Sequence, residues 1–92
     1  MKKIIVINLD KERHLRYNLN ALILAEKTTG KKLTELGKEK DTFDLEFLRG
    51  MLYAGLKWED KELTLEEVGD FIDMDNLEYV TGKLEEAMQG LK

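Results

Sequence analysis

Between Leu45 and Trp58 the chain carries two apolar stripes at helical spacing, and no other feature limits its fold as tightly. Leu45, Leu48, Leu52 and Leu56 make one stripe; Phe47, Met51, Ala54 and Trp58 make a second beside it. A helix apolar over so wide an arc is either the central core helix or one that faces a second partner. Gly50 and Gly55 lie inside it or near its end, where each costs about 1 kcal/mol relative to alanine. Close approach of another element at those two points is the physical reason to keep them. Asp41 or Thr42 is the expected N-cap.

The remaining elements are legible from periodicity and punctuation. Ile4 to Ile7 is β-branched throughout and alternation continues through Leu9, which favours a strand. Asp10-Lys11-Glu12 reads as a polar turn. His14 to Tyr17 alternates again, with Leu15 and Tyr17 on one face and His14 and Arg16 on the other. Two short strands around a turn predict a β-hairpin, and a lone hairpin needs one face against helices to be stable. Asn18 caps a helix in which Leu19, Leu22, Ile23 and Glu26 share a face, widened by Leu24 and Ala25, and Gly30 closes it. One or two helical turns around Leu33 and Leu36, stopped by Gly37, are expected within Lys31–Lys40. Thr64 and Glu67 form a capping box for a helix with Leu65, Val68, Phe71 and Ile72 inside. Asp75-Asn76-Leu77-Glu78 opens a last helix in the same way, followed by Val80, Leu84, Ala87 or Met88, and Leu91. The predicted fold is α+β, mostly α: a short N-terminal β-hairpin (1–17) packed on a small bundle of four to five helices (18–92), in a single domain spanning 1–92.

Composition narrows what such a fold can do. A chain of 92 residues builds only a modest core, and oligomerisation is a common remedy for marginal stability. No cysteine is present, which excludes disulfides and thiolate metal sites and fits a reducing cytosol. Serine is absent as well, which removes the commonest hydroxyl nucleophile. The net charge of -4 argues against unspecific binding to nucleic acid. The basic residues at Lys2-Lys3, from Lys11 to Arg16 and from Lys31-Lys32 to Lys40 read as solvated turns and helix rims. The apolar run Ile4–Ile7 is ended by Asp10 before any cleavage-like site, and no run approaches the ~20 residues that span a bilayer. A soluble cytoplasmic protein with no membrane partner is expected.

Each candidate for chemistry has a simpler structural reading. A general base wants an orienting group and a nearby nucleophile, whereas His14, the one histidine, is expected on the polar face of a strand between basic residues, in a structural or surface role. Asp70, Asp73, Asp75 and Glu78 lack the glycine of a calcium loop, and helix capping accounts for Asp75 and Glu78. Glu66-Glu67 and Glu85-Glu86 are adjacent on helices, so their carboxylates point about 100° apart. Gly30-Lys31-Lys32 follows a helix, whereas a phosphate loop leads into one. No catalytic residue, metal site or cofactor is therefore expected. What remains is a set of aromatic and methionine residues suited to contact: Phe47, Met51, Tyr53, Trp58, Phe71, Met74 and Met88. Tyr53, Leu56 and Trp58 are the expected partner-binding residues, and Phe47 and Met51 the candidates for self-association.

Four phrases recur in a fixed order after the hairpin: Glu26-Lys27-Thr28-Thr29-Gly30, Leu52-Tyr53-Ala54-Gly55-Leu56, Leu63-Thr64-Leu65-Glu66-Glu67-Val68 and Phe71-Ile72-Asp73. In that order and spacing, from about Ile4 to Leu91, the chain resembles the tail assembly chaperones of long-tailed, non-contractile bacteriophages and prophages. The resemblance implies a non-enzymatic protein that coats the tape measure protein while the tail tube polymerises, and that is absent from the finished tail. It also implies self-association into a homo-oligomer, displacement by the tail tube protein, and a short form alongside a longer frameshifted product. This chain looks like the short form. The rival expectations are a small regulatory or adaptor domain, binding protein or nucleic acid through its basic hairpin, and a structural tail component.

Overall fold

The computed structural model describes residues 4–32 and 44–89. Two antiparallel strands, β1 (Ile4–Asn8) and β2 (Glu12–Arg16), precede α1 (Leu19–Thr29), α2 (Leu45–Leu56), α3 (Leu65–Asp70) and α4 (Leu77–Gln89). The fold is α+β and mostly α, a hairpin with four helices among the described residues. The helical turns expected around Leu33, Leu36 and Gly37 lie outside those residues, as do Asp41, Thr42 and Leu91.

Alternation sets the hairpin's two faces. Ile5, Ile7, Leu15 and Tyr17 point into the core, while Ile4 and Val6 point outward. The register pairs Ile5 with Leu15 and Ile7 with Arg13. A hydrogen bond of 3.0 Å from the Leu9 amide to the Lys11 carbonyl closes the turn.

α2 is the central core helix. Phe47, Leu48, Met51, Leu52, Ala54 and Leu56 are all buried, and the helix touches β2, α1, α3 and α4. Its N-cap is Asp44, whose carboxylate accepts from the Phe47 amide at 2.8 Å; the cap expected at Asp41 or Thr42 therefore sits two or three positions later. Both interior glycines mark close approaches. A Cβ on Gly50 would meet Thr29 Cγ2 at 2.5 Å, where the end of α1 crosses. A Cβ on Gly55 would meet the Tyr17 ring at 2.6 Å and Leu15 at 2.9 Å. Tyr17 lies over that gap and donates its hydroxyl to the Met51 carbonyl at 2.5 Å.

The observed packing also corrects the face of α1. Of the expected stripe, Ala25 is buried and Leu22 and Leu24 pack at the core margin, whereas Leu19 and Ile23 are exposed and Ala21 takes an inner position instead. At the Gly50 crossing itself the side chains that fill the gap are those of Thr28 and Thr29. The Asn18 cap is in place, accepting from the Ala21 amide at 3.0 Å, and Gly30 closes the helix with φ of 75°.

Thr64 and Glu67 form the reciprocal capping box of α3, each hydrogen bond 3.1 Å long. That helix is only six residues, with Val68 fully inside and Phe71 and Ile72 packed on the core just beyond its end. The opening of α4 differs from expectation. The Asp73 carboxylate accepts from the Asn76 amide at 3.2 Å and the Asn76 side chain accepts from the Asp73 amide at 2.8 Å. The reciprocal cap thus starts at Asp73, one short turn before the Asp75–Glu78 phrase. Val80, Leu84 and Ala87 then line the core.

Two glycine substitutions separate close packing from helix propensity. Gly55→Ala must push Tyr17 away and is expected to destabilise the protein by about 1–3 kcal/mol in urea unfolding. Gly82 is exposed in α4 with nothing near its missing Cβ. Gly82→Ala should raise stability by about 0.5–1 kcal/mol.

Candidate interaction surface

The residues expected at a contact surface divide between core and clasp. Phe47, Met51 and Leu56 are completely buried within the single chain, so they offer a partner no surface. Their periodicity is that of a helix surrounded on all sides, and the self-association role of Phe47 and Met51 and the partner role of Leu56 are overturned.

Trp58 lies just past the end of α2 and closes the hairpin down. Its indole Nε1 donates to the His14 carbonyl at 3.0 Å, and the Arg16 guanidinium stacks 4.2 Å from the ring centroid. Next to it, Glu59 accepts from the His14 amide at 3.2 Å and pairs with His14 Nδ1 at 2.8 Å. Tyr53 packs at the core margin, and the Lys57 ammonium sits 5.2 Å from its ring centroid. Lys57 is itself fixed by donating to the Leu63 carbonyl at 2.8 Å. Tyr53 and Trp58 are both half-buried. Each keeps some open surface, but each already holds two elements together.

Arg13 was not singled out by sequence, yet it is a buried charge, 4% exposed. Its guanidinium engages Asp10 at 2.7 and 3.0 Å and Asp60 at 3.3 Å, and lies 4.8 Å from the Phe71 ring centroid. The pairing is what makes such burial tolerable. The signal was present in the alternation, because Arg13 shares its parity with the inward residues Leu15 and Tyr17. The hydrogen bond from Arg13 holds the Asp10 carboxyl below its ordinary pKa, and the bond to Asp10 raises that of Arg13. The basic run from Lys11 to Arg16 is therefore no open cationic face: Arg13 is paired inside and Arg16 is stacked on Trp58.

An open apolar groove lies at the other end of α2. Leu45 is 70% exposed and Met74 is 86% exposed. They stand on the lips of a groove of about 460 Å³ between the start of α2 and the link from α3 to α4. Leu48, Ile72 and Leu77 form its apolar walls, and Glu46, Arg49 and Asp73 supply charge to its lining. Two local features keep it open. α3 stops after six residues, and Gly69 presents no side chain to the groove. The α2 helix has 12 residues, which places this groove about 18 Å from the Trp58 clasp. The sequence hinted at it through Met74, an apolar residue in a capping turn, and Leu45, the outermost member of its stripe.

Among the described residues no three His, Cys, Asp or Glu side chains gather as a metal site, and no helix is long and apolar enough to cross a membrane. Comparison with known proteins gave no matching family model, no matching characterised protein and no matching solved structure.

Three outcomes follow from these surfaces. Asp10 has a depressed pKa in the folded state, so its contribution is complete above its unfolded value near ~4 and is lost as pH falls through the lower folded value. Asp10→Asn should flatten the acid limb of a stability-versus-pH curve measured by urea unfolding, while the wild type loses stability on acidification. Trp58→Phe keeps most of the ring but removes the donor to His14, and should cost on the order of 1 kcal/mol. Met74→Gln, at the groove lip, should leave stability within about 0.5 kcal/mol of wild type.

Proposed function

We propose that this protein is a non-enzymatic tail assembly chaperone of a phage or prophage, which binds the tape measure protein in the bacterial cytoplasm during tail morphogenesis. The observation that carries the proposal is the groove at the start of α2, with Leu45 uncovered on the helix and Met74 uncovered on the turn before α4. The order of the sequence phrases supports the family reading. A long helical partner presents repeating apolar stripes, and a groove with apolar walls and charged residues beside them suits one turn of such a stripe. Glu46, Arg49 and Asp73 would set the orientation of the incoming helix through its flanking polar residues. Many copies along one partner hold it by avidity although each contact is small. The tail tube protein then displaces them as it polymerises. The adaptor alternative that relies on a basic hairpin is weakened by the engagement of Arg13 and Arg16.

Co-expression with the tape measure protein encoded beside it tests the proposal. The wild type should keep that protein soluble and co-purify with it. Leu45→Glu combined with Met74→Glu should abolish co-purification while leaving the circular dichroism spectrum unchanged. A tape measure protein that stays insoluble with the wild-type chain overturns the chaperone assignment. Loss of binding on substitution of Tyr53 and Trp58, with the groove variant still active, would move the surface to the opposite end of α2. Recovery of the protein in purified tails would make it a structural component instead.

A further inference from the structure

The two edges of the hairpin are treated differently. On β2, the His14 amide and carbonyl point away from β1, because Glu59 takes the amide at 3.2 Å and Trp58 donates to the carbonyl at 3.0 Å. His14 pairs with Val6, so Val6 too turns its amide and carbonyl away from its partner strand. The same parity sends the amides of Ile4 and Asn8 to the outer edge of β1. Asn8 is satisfied there, its amide donating to the Tyr79 hydroxyl at 3.1 Å. Among the described residues, the outward amide and carbonyl of Val6 have no hydrogen-bond partner.

Native sheets blunt a bare edge with charge, proline, a bulge or a covering group. β2 has the covering group. β1, with the sequence Ile-Ile-Val-Ile-Asn, has no charge and no proline, and its register with β2 runs without a bulge. Its outer-face side chains are open as well, Ile4 at 47% and Val6 at 44%. A two-stranded sheet is marginal alone, and more strands make it secure.

We infer that the free edge of β1 pairs antiparallel with β1 of a second copy of this chain, making a continuous four-stranded sheet and a closed two-fold dimer. The strand is self-complementary in one register. Setting Ile4 opposite Val6 of the second copy, and Val6 opposite its Ile4, aligns the outward amides and carbonyls of both strands. It forms four hydrogen bonds and leaves the Asn8–Tyr79 contact intact. The same register brings the exposed Ile4 and Val6 side chains of both copies together on the outer face, where apolar β-branched pairs stabilise a sheet. No charge lies opposite a like charge within these residues. Because Glu59 and Trp58 block β2, the new sheet has no second open edge, so pairing stops at two copies instead of continuing into a fibre. The dimer stands apart from the chaperone proposal, since the groove and β1 are separate surfaces.

Val6→Pro is the sharpest test. It deletes the outward amide in both copies but costs no bond to β2, because Val6 makes none. Analytical ultracentrifugation of the whole chain should give a concentration-dependent dimer for the wild type and, for Val6→Pro, a dimer dissociation constant raised on the order of 30-fold, in favour of monomer. Ile4→Lys with Val6→Lys retains both amides and should also yield monomer, with unaltered helical signal. Hydrogen exchange should slow at Ile4 and Val6 when the wild type is concentrated and quicken on dilution. A wild type that remains monomeric at 100-fold dilution steps up to millimolar concentration overturns the inference. So does a dimer that survives both variants, or one lost instead through Leu45→Glu. These measurements read the hairpin edge and the co-expression variants Leu45→Glu and Met74→Glu read the groove, so failure of one proposal is distinguishable from failure of the other.

Discussion

Tyr17 resting on Gly55 is the contact on which the rest of the structure depends. The missing Cβ lets the phenol ring reach the backbone of α2, and the hydroxyl then finds the Met51 carbonyl. Burial raises the pKa of Tyr17 well above its ordinary value, so the group is a neutral donor and stays one. A buried hydroxyl without that acceptor would carry the whole cost of desolvation. The contact fixes both the distance and the rotation of the hairpin on the helix. With β2 placed, Arg13 is directed inward to Asp60 and Phe71, and the His14 backbone is brought to Trp58 and Glu59. One glycine therefore governs the hairpin and the loop after α2 together.

The parts of this fold that were legible in the sequence are those decided by local chemistry. The caps at Asn18 and Thr64, the stop at Gly30 and the alternation of Leu15 with Tyr17 each follow from one residue's neighbours in the chain. Errors arise where a distant element decides. Leu19 and Ile23 look like part of the inner face of α1, but the rotation of that helix on the core buries Ala21 and Ala25 and leaves those two outside. Asp73 outcompetes Asp75 as a cap because Asn76 can answer it in the reverse direction. Arg13 was overlooked because a positive charge in a basic run suggests solvent, although its parity already put it inside.

The candidate site was less legible for a related reason. Chemistry alone made Phe47, Met51, Leu56 and Trp58 look like contact residues, since interfaces and cores draw on the same side chains. What separates them is whether the chain covers them itself. α2 is enclosed by four other elements over most of its length, and its apolar excess is absorbed there. Only its first turn runs out of neighbours, because α3 is too short to shield Leu45. Exposure at Leu45 and Met74 is thus a consequence of where helices end, which periodicity does not report.

The two proposed surfaces reinforce each other physically. A chain of this size gains little from one shallow groove, because ordering a partner helix offsets much of a small apolar contact. Joining two copies through β1 would supply two grooves on one rigid body. A second contact with the same long helix then occurs at high effective concentration and requires no new chemistry, provided the spacing of the grooves matches a repeat of the partner's stripe. The clasp at β2 would limit this gain to two copies, since it leaves no second edge for further pairing. A bare edge on both strands would have favoured open-ended pairing, the aggregation hazard that an uncovered sheet edge carries.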